Sequence, residues 1–330
     1  MNRIKNVASE FLSFDNFDKA ELKARRNKGK SRGVLNFDKK YNTPELRVDA
    51  LNHLIEKIKT GEFKSTTPVT FERMTQGGKL RNISVVPYFP DIVYAHAILN
   101  IIEKRFDRNL IYDVYSYNRG IHLLCARLQK VIKGWKPESK IYVLKLDIRK
   151  FYESIDCEIL KSKIEKLVKD KTLKAAIFEI VDTHNGLTIG MLLSQLFSSV
   201  YLSELDHWIK EALKVTHYYR YADDIIILSD DKKQLHEILY RIKSKLFYEY
   251  KLDLKYWQIF NIEVRPLDYV GYVFHRTHTL VRKRTKQNFA KRRNKRTSVS
   301  SYLGIMKWCN SRNLIYKILE QNNHAKKRTD

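Results

Sequence analysis

Cysteine is nearly absent: the 330 residues contain three, Cys125, Cys157 and Cys309, far apart and odd in number. With no CxxC pair and no Cys/His cluster, the pattern argues against both a disulfide framework and a zinc site. Long apolar runs are missing too. No segment approaches the length of a spanning helix and no lipidation signal is present, so no membrane partner is expected. The amino terminus, MNRIKNVASEFLSFDNF, lacks the apolar core of a signal peptide, and a cytoplasmic location is the simplest expectation. Acidic charge is the remaining shortage. Against 37 Asp and Glu stand 63 Lys and Arg, a formal net charge of +26. An excess of this size implies a polyanionic partner, and nucleic acid is favoured. It is also uneven, because Arg276 to Asp330 holds 16 basic and 2 acidic residues.

What is present is a patterned chain long enough for two or three subdomains. Residues 23–40 (KARRNKGKSRGVLNFDKK) carry eight basic residues and one acid, and read as a flexible basic arm. A helix is predicted over Pro44–Lys59, where Leu51, Leu54, Ile55 and Ile58 share a face. Between Phe71 and Val86 the double glycine Gly77-Gly78 predicts a hairpin with Lys79 and Arg81 near its tip. A helix over Ile92–Phe106, a polar loop and a second helix follow.

IYVLKLDIRKFY then alternates with period two, Tyr142, Leu144, Leu146 and Ile148 facing one way and Val143, Lys145 and Asp147 the other. Beyond it, helices are predicted over Asp156–Lys169 and Met191–Leu213. The strands of YRYADDIIILSD (219–230) come next, then a helix over Lys233–Tyr250 and a hairpin from Tyr256 to Phe274. This order gives an α+β layer, an antiparallel sheet with helices on one face. From Arg282 the chain reads as a basic, helix-rich tail whose apolar and aromatic residues argue for a folded state.

The pair Asp223-Asp224 lies between an aromatic run and an apolar run. An Asp-Asp pair between strands is by itself an ordinary hairpin tip. Adjacent carboxylates repel, however, unless a cation lies between them, and a metal reading requires a third carboxylate. Asp147, at the end of its strand, supplies it. Three carboxylates converging on one sheet face could hold a pair of divalent ions about 3.5–4 Å apart, the arrangement that serves in-line phosphoryl transfer. Mg²⁺ suits such a site because it takes a few carboxylates plus substrate phosphates.

In this order the motifs resemble the reverse transcriptase family: KLRNISVVP (79–87), SYNRGIH (116–122), LKLDIRKFYESI (144–155), GLTIGMLLSQ (186–195), YRYADDIIILS (219–229), LKYWQ (254–258) and YVGYVF (269–274). The resemblance implies a right-hand polymerase: a basic N-terminal arm (1–40), fingers with the start of the palm (41–140), the palm (141–274) and a basic helical thumb (275–330). It implies an RNA-directed DNA polymerase using two Mg²⁺ ions, with Mn²⁺ as a substitute. Asp147 and Asp223 would be the principal metal ligands and Asp224 the more peripheral carboxylate. Lys79 and Arg81 would meet the incoming triphosphate, Tyr152 would gate the sugar while Phe151 packs beside it, and Tyr221 would support the primer end.

Many relatives carry Gln where this chain has Ile189 and Ser-Pro where it has Ser194-Gln195. The Ile-Gly-xxx-Ser-Gln pattern, with Ile189 and Gln195 at its ends, resembles the enzymes of diversity-generating retroelements, which misincorporate opposite template adenines. The segment SYLGIMKWCNSRNL resembles the thumb that these share with group II intron enzymes. The implied partners are a template RNA with its RNA/DNA heteroduplex, dNTPs and a small basic oligomeric accessory protein, in a bacterial or phage setting. A retron or phage-defence reverse transcriptase is the alternative within the family, and a non-catalytic RNA-binding scaffold the alternative outside it.

Overall fold

The computed structural model describes residues 3–74, 78 and 80–326. Its chain gathers into two compact units, each built from three separate stretches. Met1–Ile111, Arg149–Trp208 and Lys245–Asp253 form the first; Tyr112–Ile148, Ile209–Ser244 and Leu254–Asp330 form the second.

In chain order the first unit opens with helices α1 (Ala8–Phe11), α2 (Phe14–Arg25), α3 (Arg32–Lys40) and α4 (Pro44–Thr60). The hairpin β1 (Val69–Met74) and β2 (Leu80–Val85) and helix α5 (Val93–Asp107) come next. The second unit then contributes α6 (Ile121–Lys133) and β3 (Tyr142–Ile148). Helices α7 (Cys157–Leu167), α8 (Lys171–Val181), α9 (Ser194–Tyr201) and α10 (Ser203–Glu211) follow, then β4 (His217–Tyr221), β5 (Asp224–Ser229) and α11 (Lys232–Tyr250). The remainder is β6 (Leu254–Asn261), β7 (Leu267–Tyr269), β8 (Tyr272–Phe274), β9 (Thr279–Val281), α12 (Lys283–Lys291), α13 (Arg296–Met306) and α14 (Arg312–Lys326).

Local chemistry sets the helix ends. Thr43 accepts the Leu46 amide at 3.3 Å, Pro44 opens the first turn of α4, and Gly61 closes it in the left-handed conformation. Asp170 has two tasks. One carboxylate oxygen accepts the Leu173 amide and caps α8, while the other accepts the amides of Val7 and Ala8, where α1 begins. Residues 3–40 are therefore folded rather than a free arm: Phe11, Phe17, Val34 and Phe37 are all buried. Part of the basic charge there is internally paired, Asp38 meeting Arg25 at 2.9 Å and Arg47 at 3.1 Å.

His96 of α5 is half-buried, its Nδ1 is enclosed without a hydrogen-bond partner among the described residues, and its pKa is pushed down to about 4. Burial is the main cause, reinforced by Lys28 and Lys23. Because the folded value lies below the unfolded one near 6.5, the unfolded chain binds the extra proton first. Stability should therefore fall as pH drops from about 6.5 towards 4, by about 1–2 kcal/mol after allowance for partial exposure. His96→Leu should flatten that part of a pH-dependent urea midpoint series; an unchanged slope would show that the imidazole is not held neutral.

In the second unit the central sheet runs β4-β5-β3-β6 with every neighbouring pair antiparallel. Its residues line up in rows across the four strands. His217, Leu228, Val143 and Phe260 form one row, Tyr219, Ile226, Lys145 and Gln258 the next, and Tyr221, Asp224, Asp147 and Tyr256 the last. These rows share a face. Leu124, Leu128 and Ile132 of α6, with Leu267, Tyr269 and Tyr272, join Val143, Tyr219, Ile226 and Leu228 in one buried cluster.

Four local expectations change. The face of Val143, Lys145 and Asp147, expected from the alternation to be the open one, has Val143 fully buried under α6 and opens only towards the carboxylate end, where Lys145, Asp147 and Gln258 are partly exposed. The helix expected over Met191–Leu213 is two helices, with Leu202 between them. Helix α8 was not foreseen. The hairpin expected from Tyr256 to Phe274 does not form, because β6 pairs with β3 while β7, β8 and β9 make a separate three-stranded sheet.

Candidate active site

The antiparallel pairing of β3 with β5 sets Asp147 directly opposite Asp224, and Asp223 follows Ala222 in the two-residue turn that joins β4 to β5. Two carboxylates that sequence reasoning drew from segments some eighty residues apart are thus cross-strand neighbours, with the third one residue away. The ladder between β3 and β6 shifts register between Asp147 and Ile148. Bulges of this kind re-aim side chains and are common beside active sites. Tyr221 stands in the same row as the two carboxylates.

Like charges directly opposite one another are unfavourable without a counter-charge. Lys255, at the start of β6, brings its ammonium to 3.7 Å from Asp147. Both side chains remain partly open to solvent, at 55 % and 27 % exposure, so the pair is a weak one that a stronger cation can replace. Among the described residues no group of three His, Cys, Asp or Glu side chains is gathered tightly enough to enclose an ion. The donor set nevertheless fits a hard divalent cation, for which one or two carboxylates completed by substrate phosphates suffice.

The other predicted residues belong to the first unit, where several come together. Lys79 lies outside the described residues. Arg81 is exposed on β2 directly opposite Arg73 of β1, so two guanidinium groups rather than one mark this strand pair. Ile189 forms a parallel bridge with Ile83, its carbonyl accepting the Ser84 amide at 2.8 Å. The same loop returns to Tyr152, whose carbonyl accepts the Leu187 amide at 2.8 Å. Phe151 is buried and Tyr152 half-exposed, their rings edge to face at 5.7 Å. Gln195 is exposed on the first turn of α9, and its carbonyl accepts the hydroxyls of Ser198 and Ser199. Sequence reasoning missed Arg73 and Lys255. Strand register counted outward from the double glycine in the sequence could have found Arg73, whereas Lys255 needs the β3–β6 pairing, which no local signal announces.

A four-stranded antiparallel sheet with carboxylates at a strand end and at an adjoining hairpin turn has the arrangement of the palm in the right-hand polymerase fold. Residues 75–274 match the family model described as Reverse transcriptase (RNA-dependent DNA polymerase), and the chain belongs to that family. Solved structures with a similar fold include telomerase from Candida tropicalis in complex with the TWJ fragment of telomeric RNA, at 14% identity and a TM-score of 0.51 over 84% of this chain. The corresponding complex from Candida albicans gives 11% identity and a TM-score of 0.51 over 75% of this chain. At such identities the likeness is one of fold. The chain spans little more than half of those structures, 57% and 55% of their lengths. No curated protein sequence matches it.

Proposed function

We propose that this chain is an RNA-directed DNA polymerase that copies a template RNA into cDNA, with its errors concentrated at template adenines as in diversity-generating retroelements. The observation that carries the polymerase reading is the pairing of Asp147 with Asp224 beside the Asp223 turn. These three carboxylates would hold divalent metal, most simply Mg²⁺, which when bound supplies charge stabilisation for attack of a primer hydroxyl on the α-phosphate and for loss of pyrophosphate. The chain's own residues do the positioning. Arg81, with Lys79, offers cations to the triphosphate, Tyr152 closes off the space of a ribose 2′-hydroxyl, and Tyr221 stands beside the carboxylates where a primer end would rest. Residues 41–140, 141–274 and 275–330 act as fingers, palm and thumb, and the basic surface grips RNA phosphates, so binding should weaken steeply with salt.

The error-prone reading rests on Ile189. Its backbone is fixed to β2, and its aliphatic side chain offers no hydrogen bond to a substrate, so base-pair geometry would be read less strictly than by Gln. A template RNA and a small basic oligomeric accessory protein are the partners that go with this reading. Primer extension on an RNA template with Mg²⁺ and dNTPs, with the product sequenced, tests both levels. Extension lost in Asp223→Asn supports the polymerase. Adenine-directed errors that decline in Ile189→Gln support the subtype, and an error spectrum indifferent to that change removes it. A wild type inactive even with its native RNA and accessory protein would point to an RNA-binding scaffold.

A further inference from the structure

The turn between β4 and β5 is held by two buried side chains, Arg220 from β4 itself and Tyr269 from outside the ladder. Ala222 adopts φ +54, a left-handed conformation that an L-residue with a side chain enters at a cost of about 1–2 kcal/mol. Such a residue persists only where its surroundings over-determine it. Arg220 is fully buried, and its Nη1 donates to the carbonyl of Ala222 at 3.1 Å. The Arg220 backbone is fixed as well, its amide donating to Asp113 and its carbonyl accepting from Tyr115, both at 3.0 Å.

Tyr269, the last residue of β7, is completely buried and donates its hydroxyl to the carbonyl of Asp224 at 2.8 Å. Tyr221 and Asp224 are the closing pair of the β4–β5 ladder, so the phenol holds the carbonyl of the residue at which that ladder ends. The carbonyls immediately before and after Asp223 each receive a buried side-chain donor. Tyr269 is itself fixed by a tight turn at Val270 (φ +43) and Gly271 (φ +92), which returns the chain to Tyr272. A β-branched residue at such a φ is rare. Both turns that meet at this hydroxyl therefore carry a non-glycine residue in the left-handed region.

We propose that Tyr269, together with Arg220, is a positioning residue that locks the Asp223–Asp224 turn in its working conformation and couples the β7–β8 hairpin to it. The proposal rests on the reading of Asp223 and Asp224 as the catalytic carboxylates. A hydrogen bond to a backbone carbonyl costs no packing volume when Tyr becomes Phe, so the ring should still fill its place.

The test uses the full chain carrying Tyr269→Phe, with Tyr272→Phe as the control. Tyr272 loses two hydrogen bonds of its hydroxyl, to the carbonyl of Ile305 at 3.1 Å and with His122 Nδ1 at 2.9 Å, neither of them to the turn that carries the carboxylates. Amide hydrogen exchange is followed without metal or nucleotide, and primer extension separately. In Tyr269→Phe, exchange in the 219–226 peptide should accelerate about tenfold with the rest of the sheet unchanged, the equivalent of one lost hydrogen bond. kcat should fall about tenfold with KM for dNTP within about twofold, the signature of an interaction that matters after binding. Tyr272→Phe should leave both readouts at wild-type values. Arg220→Lys, which keeps the buried charge, supplies the same two readouts should the Phe variant fold poorly.

Unchanged exchange in the 219–226 peptide, or exchange accelerated equally across all four strands, overturns the proposal whatever happens to kcat. The exchange arm needs no activity. A wild-type extension rate in Asp223→Asn would therefore remove the catalytic reading, a result distinct from failure of the turn to loosen.

Discussion

Asp147→Asn is expected to lower the rate of RNA-templated primer extension by about a thousandfold or more, equivalent to about 4 kcal/mol of transition-state stabilisation. The expectation follows from the last row of the sheet, where Asp147 faces Asp224 with Asp223 next to it. Asn keeps the volume and one oxygen but removes the formal charge, so the site loses its strongest donor for a hard cation. The fold should tolerate the change well. Asp147 is partly exposed, and its ion pair with Lys255 is long and solvent-screened, so its loss should cost well under about 1 kcal/mol. Relief of repulsion from Asp224 acts in the opposite direction. A variant that melts like the wild type but no longer extends a primer is the expected pair of results. Extension within about tenfold of wild type would exclude Asp147 from the chemistry, since loss of one preorganised charge at a reacting centre costs more than that.

Gly190→Ala should damage the first unit more than any surface substitution. Gly190 has φ +111, and a Cβ built there would lie 2.5 Å from the carbonyl oxygen of Ser84 and 3.0 Å from the side chain of Ile83. The obstructing atom is backbone and belongs to β2, which the neighbouring Ile189 bridges, so neither side can yield without breaking the contact. Left-handed strain and the clash together should cost about 2–4 kcal/mol, or else free the 186–190 loop from β2. Gly29→Ala is the natural comparison, because nothing lies within 4 Å of its Cβ position. Gly190→Ala should melt about 5 °C or more below Gly29→Ala, and KM for dNTP should rise as the loop carrying Ile189 leaves the strand of Arg81. Identical melting curves for the two variants would contradict the docking of this loop.

The carboxylates were legible in the sequence because each is announced locally. Asp147 stands near the end of a period-two strand, and Asp223-Asp224 separates an aromatic run from an apolar run that both read as strands. The β1–β2 hairpin was legible for the same reason, because the sequence between its strands contains the double glycine Gly77-Gly78. What remained hidden was non-local. Pairing of β6 with β3 joins Tyr142 to Asn261 across more than a hundred residues, and the local run from Tyr256 to Phe274 offered a hairpin as the cheaper alternative. The buried role of Tyr269 depends on that same rearrangement. In residues 23–40 the basic count concealed two apolar anchors, Val34 and Phe37, three positions apart on a nine-residue helix capped by Ser31. The break at Leu202 was invisible because residues on both sides of it are buried, leaving no polar face to mark where one helix stops.

The two compact units exchange the chain five times, at residues 111/112, 148/149, 208/209, 244/245 and 253/254. This interleaving constrains the birth of the protein. As the chain is synthesised, the first 111 residues cannot complete their unit until Asp253 has been added, and β3 must wait for β6 before its second edge is paired. At about 5–20 residues per second, that leaves a half-built unit and an unpaired strand exposed for several seconds or longer on the ribosome. The nascent chain therefore passes through an interval in which apolar helices and an open strand edge are both available to other molecules, and yield in an expression host should depend on chaperone supply during that interval.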